Sequence, residues 1–323
     1  MKQLGLFGGA PSAGVDVVVT DEERAIASRL PRWIRFGTSS WTFPGWPIWK
    51  GAPSSDALAK DGLRAYASHP LLGTVGIDRS YYGPLRDVDL AGYAEGLPPT
   101  FRAVSKVWDE LTTAVFPTHP RYGARAGQAN PTFLDADRFR SEVLGPYERS
   151  FAAHTGPFVF ELTPMPKGAM DARTLGDRVA RFVERLPAGF RYAFELRNDE
   201  LLGPRWIDVL RAHGAAHVFT FWTAMPPIRT QLALPGVVKA APFVVARLML
   251  PRYARYEEKK AAFAPFDRVV EEQPEMRDDV MALLRAAAAA ACDEAFVVVN
   301  NKAEGSAPLT IRALADRASR ELG

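Results

Sequence analysis

Short apolar runs alternate with longer amphipathic stretches along the chain from Trp33 onward. The runs are rich in Val, Ile, Phe and Tyr and end at a polar residue or a Gly/Pro break, a pattern typical of buried strands. The stretches between them carry apolar residues at helical spacing. Eight strands are predicted, at 33–38, 74–78, 101–106, 158–162, 192–196, 217–221, 243–248 and 295–300.

The helices predicted between these strands include 56–68, 136–154, 174–186, 205–213 and 278–291. Alternation of strand and helix indicates a parallel sheet, and eight such units over about 250 residues fit a closed barrel. A doubly wound open sheet is the alternative, but the segment after the first strand, Gly37-Thr38-Ser39-Ser40-Trp41, lacks G-x-G-x-x-G spacing. The predicted fold class is therefore α/β, a TIM-like (β/α)8 barrel with a flexible N-terminal tail.

Three regions are predicted along the chain. Residues 1–14 form a flexible tail, because a short apolar cluster is followed by a Gly/Ser-rich linker. Residues 15–32 form a helical extension, in which Thr20 and Glu23 have the spacing of a capping box. Residues 33–323 form the barrel.

Composition adds only broad limits to this picture. Hydrophobic residues make up 47% of the chain and charged residues 24%, with a formal net charge of +3, which permits a nucleic-acid partner without arguing for one. One cysteine and five histidines exclude a Cys-rich zinc site, and no metal or other cofactor is predicted. The absence of a signal-peptide h-region and of a long apolar span predicts a cytoplasmic protein without a membrane partner.

The chemistry is predicted at the C-terminal ends of the strands, where parallel barrels build their active sites. Glu161 and Glu195 each interrupt an apolar strand, and burying such a charge is costly without a partner. Lys106 and Arg247 are similarly placed cations. Lys106, Glu161 and Glu195 are the predicted catalytic residues, suited to general acid/base catalysis or to binding an anion. The alternative is a buried ion network that only closes the barrel.

Other polar and aromatic residues near the strand ends are predicted to bind substrate. They are Trp41, Asp78, Tyr82, Trp108, Arg197, Asn198, Arg247, Asn300 and Asn301. Two long connections, 107–135 and 251–275, lie on the same predicted face. The second contains the basic and aromatic stretch 252–260, either a nucleic-acid contact or, as we favour, a solvated helix start.

Several segments together resemble the domain of unknown function 72 family (DUF72, YecE-like). They are Gly37-Thr38-Ser39-Ser40-Trp41, Tyr66-Ala67, 74–78, 101–106, Phe194-Glu195-Leu196-Arg197-Asn198 and 298–307, in the family's order. The resemblance implies a TIM-like barrel but no settled activity. This chain has Val75-Gly76 where the family usually has Val-Glu, and Asn198 where it often has His. These departures place any acid/base scheme carried over from the family in doubt.

The N-terminal tail suggests a partner. Gln3-Leu4-Gly5-Leu6-Phe7 is similar to the peptide by which bacterial repair and replication proteins dock on the sliding clamp. Leu6 and Phe7 would fill an apolar pocket, Gln3 would fix the register, Leu4 belongs to the same contact, and the linker would tether the barrel. The alternative is an unstructured start with accidental apolar residues.

Three functions follow as hypotheses. The first is a DNA-associated enzyme recruited by the sliding clamp, although the sequence lacks the His/Asp/Glu metal cluster of barrel nucleases. The second is a metal-independent hydrolase, lyase or isomerase acting on a small anionic or sugar-like substrate. The third is a binding module without catalysis. A narrow barrel mouth would favour the second, and an open basic groove the first.

Overall fold

A closed barrel of eight parallel strands forms the centre of the protein. The structure is a computed structural model that describes residues 14–323. Each strand pairs in parallel with its neighbours in sequence, and β8 pairs with β1 to close the barrel. The predicted (β/α)8 architecture is confirmed. The strands are β1 (Ile34–Thr38), β2 (Thr74–Ile77), β3 (Arg102–Lys106), β4 (Thr155–Glu161), β5 (Arg191–Glu195), β6 (Ala216–Phe221), β7 (Phe243–Leu248) and β8 (Glu294–Val299).

Helices surround the barrel and follow its strands. Those within residues 14–323 are α1 (Asp21–Arg29), α2 (Ser55–Ala67), α3 (Asp87–Ala94), α4 (Asp109–Thr112), α5 (Ala136–Arg138), α6 (Gly145–Ser150), α7 (Ala172–Val183), α8 (Pro204–Ala212), α9 (Ile228–Leu232), α10 (Tyr256–Phe263), α11 (Pro274–Ala289) and α12 (Ala307–Glu321). The capping box predicted at α1 is present: the Glu23 amide donates to Thr20 Oγ1, and the Thr20 amide donates to Glu23 Oε2.

The prediction of one helix over 136–154 is wrong. The segment begins as α5, widens into a π-helix at Phe139–Leu144, continues as α6 and ends in the 3-10 turn Ala152–His154. The Gly145 amide donates to the Arg140 carbonyl, five residues back. Pro146 explains the widening, because it has no amide to donate and its ring would clash with the carbonyl four residues earlier.

The stretch 252–260, for which a helix start was favoured, does begin a helix. Tyr256–Phe263 forms α10, and its charged side chains pair with one another, as Arg255 does with Glu258 and Lys260 with Glu257. The other long connection, 107–135, contains α4 and the 3-10 turn Pro120–Arg125. Both connections lie at the C-terminal ends of their strands.

An apolar layer fills the barrel interior beneath the strand ends. Its members are fully or almost fully buried and come from six strands: Val104, Val159, Ala193, Val218, Val245 and Val298. Side chains alternate in direction along a strand, so the residue two positions further on also points inward. This rule brings Lys106, Glu161, Glu195, Thr220, Arg247 and Asn300 together in the next layer.

Candidate functional site

The polar layer is an ion network at the C-terminal end of the barrel. Strand register places Glu161 beside Glu195 and Thr220 beside Arg247. Two carboxylates side by side repel each other unless a cation lies between them. Arg247 meets that need: its Nη1 donates to Oε2 of Glu161 at 2.5 Å and to Oε2 of Glu195.

The lower part of the network is sealed from solvent. Glu195 is completely buried, and its Oε1 accepts a hydrogen bond from Thr220 Oγ1 at 2.9 Å and forms an ion pair with Arg197 Nη2 at 2.7 Å. The guanidinium of Arg197 stacks on the Trp222 ring, 4.0 Å from its centroid. Both oxygens of Glu195 are therefore occupied by protein groups.

Glu161 lies at the edge of the same network and is 15% exposed. Three cations contact its Oε2: Arg247, Arg197 at 2.8 Å and Lys106 at 3.2 Å. Its Oε1 accepts no hydrogen bond from any group within residues 14–323. One carboxylate oxygen of Glu161 is thus held by the protein, and the other is available to a ligand.

The electrostatics keep Glu161 ionised. Burial opposes its charge, but Arg197, Lys106 and Arg247 together outweigh burial and hold the pKa of its carboxyl well below the usual range. Tyr81, which lies 3.7 Å below the Lys106 ammonium as measured to the ring centroid, shows the opposite effect. Burial and the nearby Glu161 charge raise the pKa of the Tyr81 phenol to about 12.

Several guanidinium donors in the network have no acceptor among the described residues. They are Nε and Nη1 of Arg197 and Nη2 of Arg247. Asp78 Oδ1 lies 3.6 Å from the last of these, beyond hydrogen-bond distance. Buried donors without acceptors are costly, and their positive charge favours an anionic group at the adjacent edge of the network.

The structure brings most of the predicted site residues together. Lys106, Glu161, Glu195, Arg197 and Arg247 form the network, and Asp78 borders it with a side chain that is 34% exposed. Asn300 also lies in the polar layer, where its Nδ2 donates to Ser39 Oγ at 2.8 Å.

Other predicted residues make contacts that hold the fold together. Trp41 is buried, and its Nε1 donates to the Leu58 carbonyl. Asn301 Oδ1 accepts from Trp46 Nε1 at 2.8 Å and from the Ala307 amide at the start of α12.

Asn198 joins two loops of the same face, because its side chain exchanges two hydrogen bonds with the Met165 backbone. The Arg138 guanidinium lies 4.9 Å from the Trp108 ring centroid. Tyr82 is 71% exposed at the rim.

Two residues of the network, Thr220 and Trp222, did not stand out in the sequence. Thr220 lies in a run of β-forming residues where a threonine is ordinary. The alternation of side-chain direction that makes Glu195 inward-facing in β5 also makes Thr220 inward-facing in β6. The N-terminal residues Gln3, Leu4, Leu6 and Phe7 lie outside the described residues.

The described part of the chain gives two further findings. Within residues 14–323, no three His, Cys, Asp or Glu side chains are grouped so as to hold a metal ion. No helix in this part of the chain is both long and apolar enough to cross a membrane.

Known structures share this barrel. Crystal structures of DUF72 family proteins from Enterococcus faecalis V583 and Thermotoga maritima MSB8 superpose on the chain with TM-scores of 0.59 and 0.56, each at 17% identity. The alignments cover 89% and 88% of this chain and 95% and 98% of the other two. At this identity the likeness shows the fold alone.

Sequence comparison is more specific. No curated protein matches the chain. The family model described as "Protein of unknown function DUF72" matches residues 35–322, which is almost the whole barrel. The chain therefore belongs to the DUF72 family.

Proposed function

We propose that the protein is an acid/base enzyme, a hydrolase, lyase or isomerase, that acts on a small anionic or sugar-like substrate at the barrel mouth. The observation that carries this proposal is the state of Glu161. One of its oxygens is fixed by three cations, and the other is unengaged at a partly exposed edge. A fixed, ionised carboxylate with a free oxygen can accept a proton from a substrate in the transition state, and its lowered pKa makes it a weaker base than an ordinary glutamate.

Lys106 and the unpaired guanidinium donors complement that base. Lys106 is 12% exposed beside Glu161, so its ammonium reaches the same small opening. Developing negative charge on a substrate oxygen would be stabilised by Lys106, while Arg197 and Arg247, which are almost completely buried, would favour a substrate anion through the field of their charges. Glu195 has a positioning role in this proposal, since its complete burial and occupied oxygens keep it from a substrate.

The limited exposure of Glu161 and Lys106 also favours a small substrate over a DNA duplex. Only a narrow group reaches side chains that are 15% and 12% exposed. A few polar groups that converge at one partly exposed point are typical of small-molecule sites.

Comparison of metabolite consumption between variants tests the proposal while the substrate is still unidentified. Purified protein is incubated with a mixture of small cellular metabolites, and losses are followed by mass spectrometry for the wild type, Glu161→Gln and the surface control Glu184→Gln. We expect at least one anionic or polyhydroxylated compound to be consumed, about 10²- to 10⁴-fold more slowly by Glu161→Gln. Equal consumption by all three proteins would remove Glu161 from the chemistry.

A second candidate is recruitment to DNA by the sliding clamp. The Gln3–Phe7 peptide motivates it, together with exposed tyrosines that lie beside cations at the rim. Tyr253 is 80% exposed with the Arg252 guanidinium 4.8 Å from its ring centroid, and Arg121 lies 5.5 Å from the Tyr82 centroid. Such pairs suit stacking on nucleobases.

A pull-down with purified bacterial sliding clamp tests this candidate. We expect the full chain to be retained and the double variant Leu6→Ala/Phe7→Ala to be lost, because an apolar anchor supplies most of the affinity of such peptides. Equal recovery of both proteins would reject clamp recruitment and leave the small-molecule proposal untouched.

A further inference from the structure

Lys302 is a second lysine at the barrel mouth, and the scheme above does not use it. It follows β8 in the 3-10 turn Asn301–Ala303, and its amide donates to Asn300 Oδ1 at 3.1 Å. Only 6% of the residue is exposed. The turn and the hydrogen bond fix the backbone, so the side chain begins from a defined point on the rim of the ion network.

The ammonium of Lys302 lacks the kind of partner that Lys106 has. Lys106 forms an ion pair with Glu161 at 3.2 Å, whereas no carboxylate oxygen within residues 14–323 lies within 4.0 Å of Lys302 Nζ. Its close neighbour is the ring of Tyr256, whose centroid lies 4.2 Å from Nζ. An aromatic face attracts the ammonium but, unlike a carboxylate, carries no net charge that would neutralise it.

The charged groups around Lys302 come from two directions. Asp78, after β2, faces it from the network side, and Glu257 and Lys260 face it from α10 beside Tyr256. Burial is the largest influence and Lys260 acts in the same direction, while Asp78 and Glu257 oppose them. The net result lowers the pKa of the Lys302 amine to about 8.

Asp78 connects Lys302 to the anion-binding donors. Its Oδ1 lies 3.6 Å from Arg247 Nη2, which has no hydrogen-bond acceptor among the described residues. The Lys302 amine and the edge of the cationic network therefore lie on the two sides of Asp78. A molecule whose anionic group is attracted to the cations of that edge would have its other end near Lys302.

We propose that Lys302 is a nucleophilic amine that condenses with the aldehyde or ketone carbonyl of a small anionic substrate. This inference rests on the proposed function, because it specifies the substrate class of the same site. The neutral amine attacks the carbonyl carbon and forms a C–N bond. The carbonyl C–O bond then breaks, and the oxygen leaves as water with the two amine protons, giving an imine.

Reductive trapping tests the reactivity of the amine directly. The full chain is incubated at pH 7 with glyoxylate, a small anionic aldehyde, and sodium cyanoborohydride, and labelled lysines are located by peptide mass spectrometry. At that pH an amine of pKa about 8 is about one-tenth neutral, against about one part in 2,500 for an ordinary lysine of pKa about 10.4. We expect Lys302 to be labelled at least tenfold faster than the exposed Lys60, Lys167 and Lys239. Labelling at the rate of those three would overturn the proposal.

Two neighbouring lysines of α10 supply a matched pair of variants that leave Lys302 itself in place. Lys260→Met removes a repelling charge, so the Lys302 amine becomes more protonated at pH 7 and its labelling slows. Lys259→Met removes a lysine that pairs with Glu271, and labelling of Lys302 stays at the wild-type rate. Equal rates in both variants would contradict the electrostatic account of the reactivity.

Failure of this inference is distinguishable from failure of the proposed function. Metabolite consumption that is lost in Glu161→Gln but retained in Lys302→Arg would overturn the imine step and support the acid/base role of Glu161. Selective trapping at Lys302 without Glu161-dependent consumption would support the nucleophilic amine and reject the role given to Glu161.

Discussion

The two glutamates of the ion network occupy neighbouring register positions but different environments. Glu195 is completely buried and both of its oxygens are engaged, whereas Glu161 is 15% exposed with one oxygen free. Arg247 contacts both. The network is therefore divided into a sealed floor, formed by Glu195, Arg197 and Thr220, and a partly exposed edge, formed by Glu161 and Lys106.

This comparison also relates the two interpretations that the sequence left open. A closing ion network and a polar site were alternatives for the same residues. The floor has the geometry of a closing ion network, and the edge has the geometry of a polar site. The predicted catalytic and substrate-binding roles remain proposals, and variants that separate floor from edge will test them.

Arg247→Met should have the largest effect on stability. The variant removes the cation shared by both glutamates and leaves their carboxylates buried with less compensation. We expect the free energy of unfolding to fall by about 3–5 kcal/mol, measured by urea denaturation. Arg173→Met, on the outer helix α7, is the control and should change stability little. A loss below about 1 kcal/mol would show that the network does not stabilise the barrel.

Glu195→Gln and Glu161→Gln should separate floor from edge. At the floor, the substitution leaves Arg197 and Arg247 buried with excess charge, and we expect a loss of about 3 kcal/mol. At the edge, solvent reaches Lys106 and can compensate it, so the loss should be about 1 kcal/mol. Substrate consumption should fall in Glu161→Gln even where that protein is fully folded. Equal losses of stability would remove the distinction between floor and edge.

Acid should weaken the edge contribution of Glu161. Its pKa in the folded protein is well below the ordinary value of 4.5, so its ionic contribution is complete above that pH and is lost as the pH falls through the lowered pKa. The difference in unfolding free energy between the wild type and Glu161→Gln should therefore be constant from pH 7 to about 5 and shrink at lower pH. A difference that grows on acidification would contradict the assignment of an ionised Glu161.

Thr220→Val should have the smallest effect. It removes the hydroxyl that donates to Glu195 Oε1 and keeps a side chain of similar shape, while Arg197 still contacts the same oxygen. We expect a loss of about 0.5 kcal/mol in the free energy of unfolding, because the arginines still compensate Glu195. A loss as large as that of Glu195→Gln would mean that Thr220, and not the arginines, determines the stability of the floor.

Much of this architecture was predictable because it repeats. The predicted bounds of β7 are those observed, and six other strands differ by one residue at one or both ends. The start of β4 differs by three residues. The period of two within each strand is also local, so the inward direction of Lys106, Glu161, Glu195 and Arg247 follows from the apolar residue two positions earlier. The interruption of the helix predicted over 136–154 was not predictable from periodicity alone. Pro146 shifts the hydrogen bonding there, although the apolar pattern remains helical.

The sequence alone determined the barrel, the face on which the charged residues meet, and the family. The alternation of strands with helices and the period of two within each strand are local patterns, and they determine the barrel and that face. The family follows from short sequence motifs. Only the tertiary structure decided which glutamate is sealed and, among residues 14–323, which of its carboxylate oxygens Glu161 keeps free and which lysine of the barrel mouth lacks a carboxylate partner. Those properties depend on side chains from β2 to β8 and on α10, which are far apart in sequence and meet only when the barrel closes.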